Sequence, residues 1–328
     1  MPDRLRILTW HVHGNYLWSL AHLRHEIVLP VRSEGGRRPD GYGGRTPSFA
    51  WPDNVVEVPA DRVRDEDIDV VVTQSHANWQ VDRPALLSPA QMGLPTAHIE
   101  HDPPRENATD MRHPVDDPRA LVVHVTHYNR LMWDNGDVPT AVVEHGVPEP
   151  PPGVAWTGEV ERALVVVNNL GRRGRRLGAD IVARLREQVP LDVVGMNADE
   201  VPGGIGEVPP PEMAAFAARY RLFLHPVRYT SLGLALCEAL MLGMPVVGLA
   251  TTELPTVLAH GHSGLLTCDL DALAGHCRML LDDSDLAGRI GAAGREVARR
   301  RFSLDRFTAE WDRVLQGHVA GRRVVTPA

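Results

Sequence analysis

The chain has 328 residues, 43% of them hydrophobic and 23% charged, with a formal net charge of −8 at pH 7. That length is about two domains' worth, since single cores rarely grow past roughly 250–300 residues. The composition excludes a disulfide-stapled miniprotein, a fibrous repeat and a disordered chain, and the acidic balance argues against nucleic-acid phosphates as partners.

All 34 basic residues are arginine. Without lysine there is no Schiff-base chemistry, no lysine-anchored pyridoxal phosphate and no Walker-type phosphate loop. The cysteines Cys237, Cys268 and Cys277 lack Cys-x-x-Cys spacing and lie in apolar stretches, as inert buried thiols of a cytoplasmic chain do. The N-terminal apolar run is too short for a signal peptide, and the longest one, Leu234 to Ala250, is interrupted by Glu238, Gly243 and Pro245. No transmembrane segment is expected, which leaves only peripheral membrane contact open.

In chain order, apolar or β-branched runs fall at Arg6–Val12, Glu26–Val31, Val55–Val58, Asp69–Val72, Thr96–Ile99, Leu121–Val125 and Ala141–Glu144, with helical stretches between them. Continuous apolar runs alternating with helices predict parallel strands covered on both faces. Pro148-Glu149-Pro150-Pro151-Pro152-Gly153 continues neither a helix nor a central strand, so a domain boundary is expected there. The alternation restarts with strands at Ala163–Val167, Leu191–Val194, Leu222–Leu224, Val246–Leu249 and Gly264–Thr267, and helices at Leu234–Leu242 and Asp271–Leu281. Helices over Ser284–Arg301 and Ser303–Leu315 close the chain, Ser303 being a candidate N-cap. The expectation is an α/β chain of two Rossmann-like, doubly wound domains with a cleft between them. The bounds are 1–150 for the first domain, 151–302 for the second, and 303–328 for a helix packing back on the first domain plus a tail. The dinucleotide fingerprint Gly-x-Gly-x-x-Gly is missing after the first strand, where the chain reads His11-Val12-His13-Gly14-Asn15, which argues against a nicotinamide dehydrogenase.

The most informative stretch runs from His225 to Leu240 and on through Gly243-Met244-Pro245-Val246-Val247. A strand ends near Pro226, a loop with Gly233 follows, and a helix starts near Leu234. A helix N-terminus offers unpaired N–H groups and the positive end of a dipole, so this loop suits a diphosphate. Glu238, one turn inside an otherwise apolar helix, needs a partner: either an arginine, or the two hydroxyl donors of a ribose diol.

Glu238-Ala239, Gly243-Met244-Pro245-Val246-Val247 and the loop Gly233-Leu234 resemble the donor motif of retaining GT-B glycosyltransferases of family four. The resemblance, which covers roughly residues 140 to 315, implies a GT-B fold and a nucleotide diphosphate sugar as co-substrate, with Thr230, Ser231, Leu232, Gly233, Leu234 and Glu238 on the donor side. It also implies retention of configuration without a metal or other cofactor. Thr230 stands where the family has its first glutamate, which contacts sugar hydroxyls. A donor sugar differing from plain glucose at the positions facing this loop is therefore expected. Val166-Val167-Asn168-Asn169-Leu170-Gly171-Arg172-Arg173-Gly174 resembles the family's phosphate-facing strand and loop, with Asn169 at the arginine position and Arg173 at the lysine position once one loop residue is deleted. Gly206, in Ile205-Gly206-Glu207-Val208, falls beside the nucleotide base, and Glu253-Leu254-Pro255 with Gly261–Leu266 matches the next strand and helix.

In the more divergent first half, Leu94–Asp102 resembles the strand leading to a histidine beside the transferred sugar. By spacing from Pro95 this is His101, with His98 the alternate. His13, Gly14 and Asn15 fall at the family's first loop, facing phosphate or acceptor. The Gly- and Arg-rich run 32–45 either clasps an anionic acceptor or is a solvated loop. The acceptor, a small molecule or a glycan, is not identified by these residues.

Two other readings compete. A sugar-nucleotide-binding partner without turnover is motivated by Thr230. A metal-dependent hydrolase is motivated by the zinc-ligand chemistry of His11, His13, His76, His98, His101 and His113.

Overall fold

The computed structural model describes residues 4–32 and 41–321. Most of the Gly- and Arg-rich run, residues 33–40, and the tail 322–328 lie outside the described residues. The chain divides into two compact units, one formed by residues up to Gly146 together with Leu304 onward, the other by Val147–Ser303.

The first unit holds seven strands: β1 (Arg6–Thr9), β2 (Glu26–Val31), β3 (Val55–Pro59), β4 (Val70–Thr73), β5 (Thr96–Glu100), β6 (Leu121–His124) and β7 (Thr140–Val142). They form one parallel sheet in the order β3-β2-β1-β4-β5-β6-β7. Every residue of β4, β5 and β6 is buried, because helices and connections cover both faces of a parallel sheet. β1 stops at Thr9 rather than Val12, because the His11 N–H leaves the ladder to donate to the Gly41 carbonyl.

The second unit holds β8 (Val160–Val166), β9 (Leu191–Val194), β10 (Tyr220–His225), β11 (Val246–Leu249) and β12 (Leu265–Thr267), parallel in the order β12-β11-β10-β8-β9. Its two faces build separate cores: Ala163, Val165, Leu222 and Leu224 point into one, Leu164 and Phe223 into the other. That alternation is the period of two that a strand imposes. The helix Ser284–Arg301 starts on the Asp283 carboxylate, which accepts from the Leu286 N–H at 2.8 Å, and ends on three arginines that suit the negative end of its dipole. It presses so closely on the turn after helix Leu234–Leu242 that a Cβ at Gly291 would lie 2.1 Å from the Gly243 carbonyl oxygen.

The division between units falls at Gly146/Val147 and Ser303/Leu304, slightly off the bounds read from the proline run. Val147 donates to the Phe302 carbonyl and bridges Ser303, while Glu149 pairs with Arg295 and Arg299, so the proline run belongs to the second unit. The helix Leu304–Val319 is part of the first unit. There the Trp311 Nε1–H donates to the Tyr16 hydroxyl at 3.1 Å, and Asp312 pairs with Arg24 and His25 at 3.0 and 2.9 Å. Among the described residues no helix is long and apolar enough to cross a membrane.

Candidate functional site

Strand order locates the site in the second unit. β8 has β9 on one side and β10 on the other, so chain progression reverses between β8 and β10, and ligands of open parallel sheets bind outside the carboxyl ends of strands at such a switch point. The residues following β8 are Val167, Asn168 and Asn169. Those following β10 are Pro226 to Gly233.

Asn169 takes the left-handed conformation (φ 54°) that starts helix Leu170–Leu177, and its side-chain oxygen accepts from Asn197 Nδ2 at 2.8 Å. That amide is committed to the loop after β9. Asn168 accepts from the Met196 N–H, so both asparagines tie two strand ends together. Arg173 is half-buried one turn further on, next to Gly174, which interrupts the helix at φ 56° and ψ −140°. A Cβ at Gly174 would meet nothing within 4 Å, so the backbone conformation rather than crowding requires glycine.

The loop after β10 is fastened to this turn. Arg228 donates to both oxygens of Asp180 at 2.6 and 2.8 Å and to the Arg175 carbonyl at 2.7 Å, while the Arg228 and Tyr229 N–H groups donate to the Arg176 carbonyl. Asp180 also pairs with Arg175, and hydrogen bonding to Arg228 holds its carboxyl below the usual range. Sequence reasoning passed over Arg228 and Asp180; no local pattern marks a pair 48 residues apart.

Gly233 precedes helix Leu234–Leu242 in an extended conformation (φ −71°, ψ 138°) and has no side chain with which to cap it. Within the helix Leu236, Cys237, Ala239, Leu240, Met241 and Leu242 are buried, whereas Leu234, Ala235 and Glu238 are half-buried. At 100° per residue those three share one narrow stripe, which places the Glu238 carboxylate on the same side as the first free turn. Thr230 is half-buried in the loop, Ser231 is buried, and Leu232 sends its side chain into the core, so it faces a ligand only through its backbone. Gly206 lies past β9 at φ 90°, its carbonyl accepting from the Gly195 N–H. Beneath Gly233 lies His225, which sequence reasoning missed. Burial lowers its pKa to about 4, so the ring is neutral.

In the first unit the six histidines with zinc-ligand chemistry separate. His11 is buried, its Nδ1 bonded to the Gly44 carbonyl and its ring edge-on to Trp51. His13, exposed at the start of helix Gly14–Leu20, lies 4.1 Å from the His101 ring, while Gly14 is half-buried and Asn15 exposed beside it. Tyr16 meets His101 and His145 edge-on at 4.7 and 5.9 Å, and burial pushes its hydroxyl pKa up. The His101 Nε2 is buried with no hydrogen-bond partner among the described residues. Burial, then His13, holds its pKa well below the usual range.

His98 is two residues from Glu100 and shares its face of β5, opposite to that of His101, because side chains alternate along a strand. There the Glu100 carboxylate oxygen Oε2 lies 3.0 Å from His76 Nε2, 3.1 Å from His113 Nε2 and 3.9 Å from His98 Nε2. Glu100 was missed as well. Its run, His98-Ile99-Glu100-His101, carries the signal only once the alternation is applied.

Residues 161–283 match the family described as glycosyl transferases group 1. This segment, most of the second unit, is what the chain shares with the group 1 glycosyltransferases. The matching segment contains the switch-point loops, Asp180, Arg228 and Glu238. The chain is similar to the O-antigen chain mannosyltransferase B of Escherichia coli, with 32% identity over 108 residues, 32% of this chain and 28% of that one. The match therefore spans little more than a quarter of the curated relative's length. Two solved structures share the fold: sucrose-phosphate synthase from Thermosynechococcus elongatus, at 15% identity and a TM-score of 0.66 over 97% of this chain and all of that one, and HepE of Anabaena in complex with UDP, at 14% identity and 0.65 over 96% of this chain and all of that one. The fold class of the chain is GT-B, two parallel-sheet α/β domains.

Proposed function

We propose that the chain transfers a sugar from a nucleotide diphosphate sugar to an acceptor, with retention of configuration and without a metal. The observation that carries this reading is the coincidence at one switch point of an open helix N-terminus at Gly233, a half-buried carboxylate at Glu238 and the arginine-rich turn around Arg173, all inside the segment that matches the family. The HepE structure, which has the same fold, holds UDP, so a uridine nucleotide is the first donor to try.

In this reading the diphosphate lies against the Gly233–Leu234 N–H groups and Arg173. Negative charge growing on the leaving phosphate is met there by a helix dipole and a guanidinium that need no reorganisation. Glu238 accepts from the two ribose hydroxyls, Gly206 borders the base, and Thr230 and Ser231 border the sugar. Asn169 contributes by shaping the turn, its amide being used by Asn197. His101, whose buried Nε2 has no hydrogen-bond partner among the described residues, offers a hydrogen bond to the transferred sugar, and His13, Gly14 and Asn15 lie beside it in the first unit, which in this reading binds the acceptor. A cytoplasmic location, where nucleotide sugars are made, goes with the same proposal.

The test is a screen of nucleoside diphosphates for binding, followed by transfer assays with sugars on the nucleotide that binds. An α product from an α donor, read by NMR of the anomeric proton, supports retention. Nucleotide binding without hydrolysis or transfer for any donor supports instead the silent binding protein that Thr230 motivates.

A further inference from the structure

We propose that His76, His98 and Glu100, with His113 behind them, form a binding site for a divalent transition cation of the zinc class in the first unit, a proposal independent of the glycosyltransferase reading. One ligating atom from each of the four lies within 4.8 Å of the others. Ligands about 2.0–2.1 Å from a tetrahedral zinc are about 3.3 Å apart, so the separations of 3.0, 3.1 and 3.9 Å around Glu100 Oε2 need only small adjustments to enclose an ion.

The hydrogen bonds around the cluster are compatible with a bound cation. Thr73 Oγ1 donates to the Ala97 carbonyl at 3.4 Å and sits 2.8 Å from His98 Nδ1. In the tautomer that carries its proton on Nδ1, His98 donates to Thr73 Oγ1. That tautomer leaves a lone pair on His98 Nε2, which faces an anionic carboxylate oxygen at 3.9 Å, too far for a hydrogen bond and wholly buried. Two lone pairs directed at one another inside a protein repel unless a cation lies between them. His113 is different: its Nδ1 accepts from the Val115 N–H at 3.1 Å, so its Nε2 carries the proton and donates to Glu100.

The site therefore has three ligands, His76 Nε2, His98 Nε2 and Glu100 Oε2, with Thr73 orienting one ligand and His113 another. Such outer partners are what metal-binding histidines and carboxylates ordinarily have. The Glu100 Oε1 accepts from the Asp102 N–H at 2.9 Å, which fixes the carboxylate plane. Trp133 packs edge-on against His113 and His76 at 5.0 and 6.1 Å and shields the cluster. The fourth position opens on the His76 side, whose side chain is 43% exposed. A mixed nitrogen and carboxylate set of borderline softness suits zinc. The ion would join the end of β4, β5 and the long connection that carries His113, a structural role.

The experiment uses the full chain. Protein stripped with a chelator and dialysed is titrated with zinc, and with cobalt as a coloured probe, following metal content and thermal melting. The expected result is one equivalent bound, intense visible bands of four-coordinate cobalt, and a melting temperature that rises with free zinc. His76→Ala, at the most exposed position, should keep the fold by far-UV circular dichroism yet lose the bands and the zinc-dependent shift. Glu100→Gln should do the same, and His113→Ala should weaken zinc about 10–100-fold. His262→Ala, in an exposed turn of the second unit, should bind as wild type. Less than a tenth of an equivalent bound, or unchanged binding in both His76→Ala and Glu100→Gln, overturns the proposal.

Discussion

Arg228 holds Asp180 by both carboxylate oxygens, at 2.6 and 2.8 Å, and so ties the loop that follows β10 to the turn that follows β8. The two halves of the proposed phosphate site are set against each other by this pair rather than by strand pairing. Both side chains are partly solvated, at 28% and 36% exposure, so the pair stabilises the fold by only about 0.5–1 kcal/mol. Arg228→Ala is expected to lower the melting temperature slightly but to weaken nucleoside diphosphate binding clearly, by calorimetric titration. Equal small effects on both would mean that the loops hold their places without it.

Glu238→Ala should weaken nucleotide binding by about 1.5–3 kcal/mol, the range for hydrogen bonds to a charged group, without loss of fold. A deoxyribose analogue of the same nucleotide should lose less from this substitution than the ribose form. Unchanged affinity in a folded variant removes Glu238 from the donor site.

Transfer should persist in EDTA if, as proposed, a helix end and Arg173 meet the leaving phosphate. Loss of turnover that magnesium or manganese restores would assign that task to a metal. If the cation site near β5 is filled, chelation should lower the melting temperature while leaving initial rates intact.

Thr230→Glu tests the departure from the family motif. A hydroxyl is shorter than a carboxylate and uncharged, so the loop around Thr230 should prefer a deoxygenated, amino-substituted or larger sugar. Restoring the carboxylate should reorder the preference across a panel of sugars on one nucleotide. A uniform rise for every sugar would show threonine to be merely a weaker version of the usual residue.

His225 gives a pH dependence with a definite sign. Its folded pKa, about 4, lies below the unfolded value of about 6.5. The folded state therefore binds fewer protons between those values: its stability is intact above pH 6.5 and falls as pH drops toward 4, by about 3 kcal/mol in all. In His225→Gln the slope of unfolding free energy against pH in that window should be smaller by up to about 1.4 kcal/mol per pH unit. An unchanged slope by urea titration at several pH values would mean that the ring is solvated.

The twelve strands among the described residues, the helix Ser284–Arg301 and the loop and helix around Gly233 were legible in the chain, because each is written in neighbouring residues: an apolar run of strand length, a glycine, apolar residues at helical spacing. The family motif around Glu238 is local in the same sense. What only the tertiary structure decided is which distant residues meet. Strand order placed the ends of β8 and β10 side by side and thereby brought the turn that carries Arg173 next to the loop that ends at Gly233. The same non-local pairing divided the histidines, sending His101 to one face of β5 with His13 and Tyr16, and His98 to the other with His76, Glu100 and His113. A strand's alternation is readable from sequence. Which residues from β4 and from the connection after β5 come to meet each face is not, because sheet order and loop path are set by packing between segments far apart in the chain.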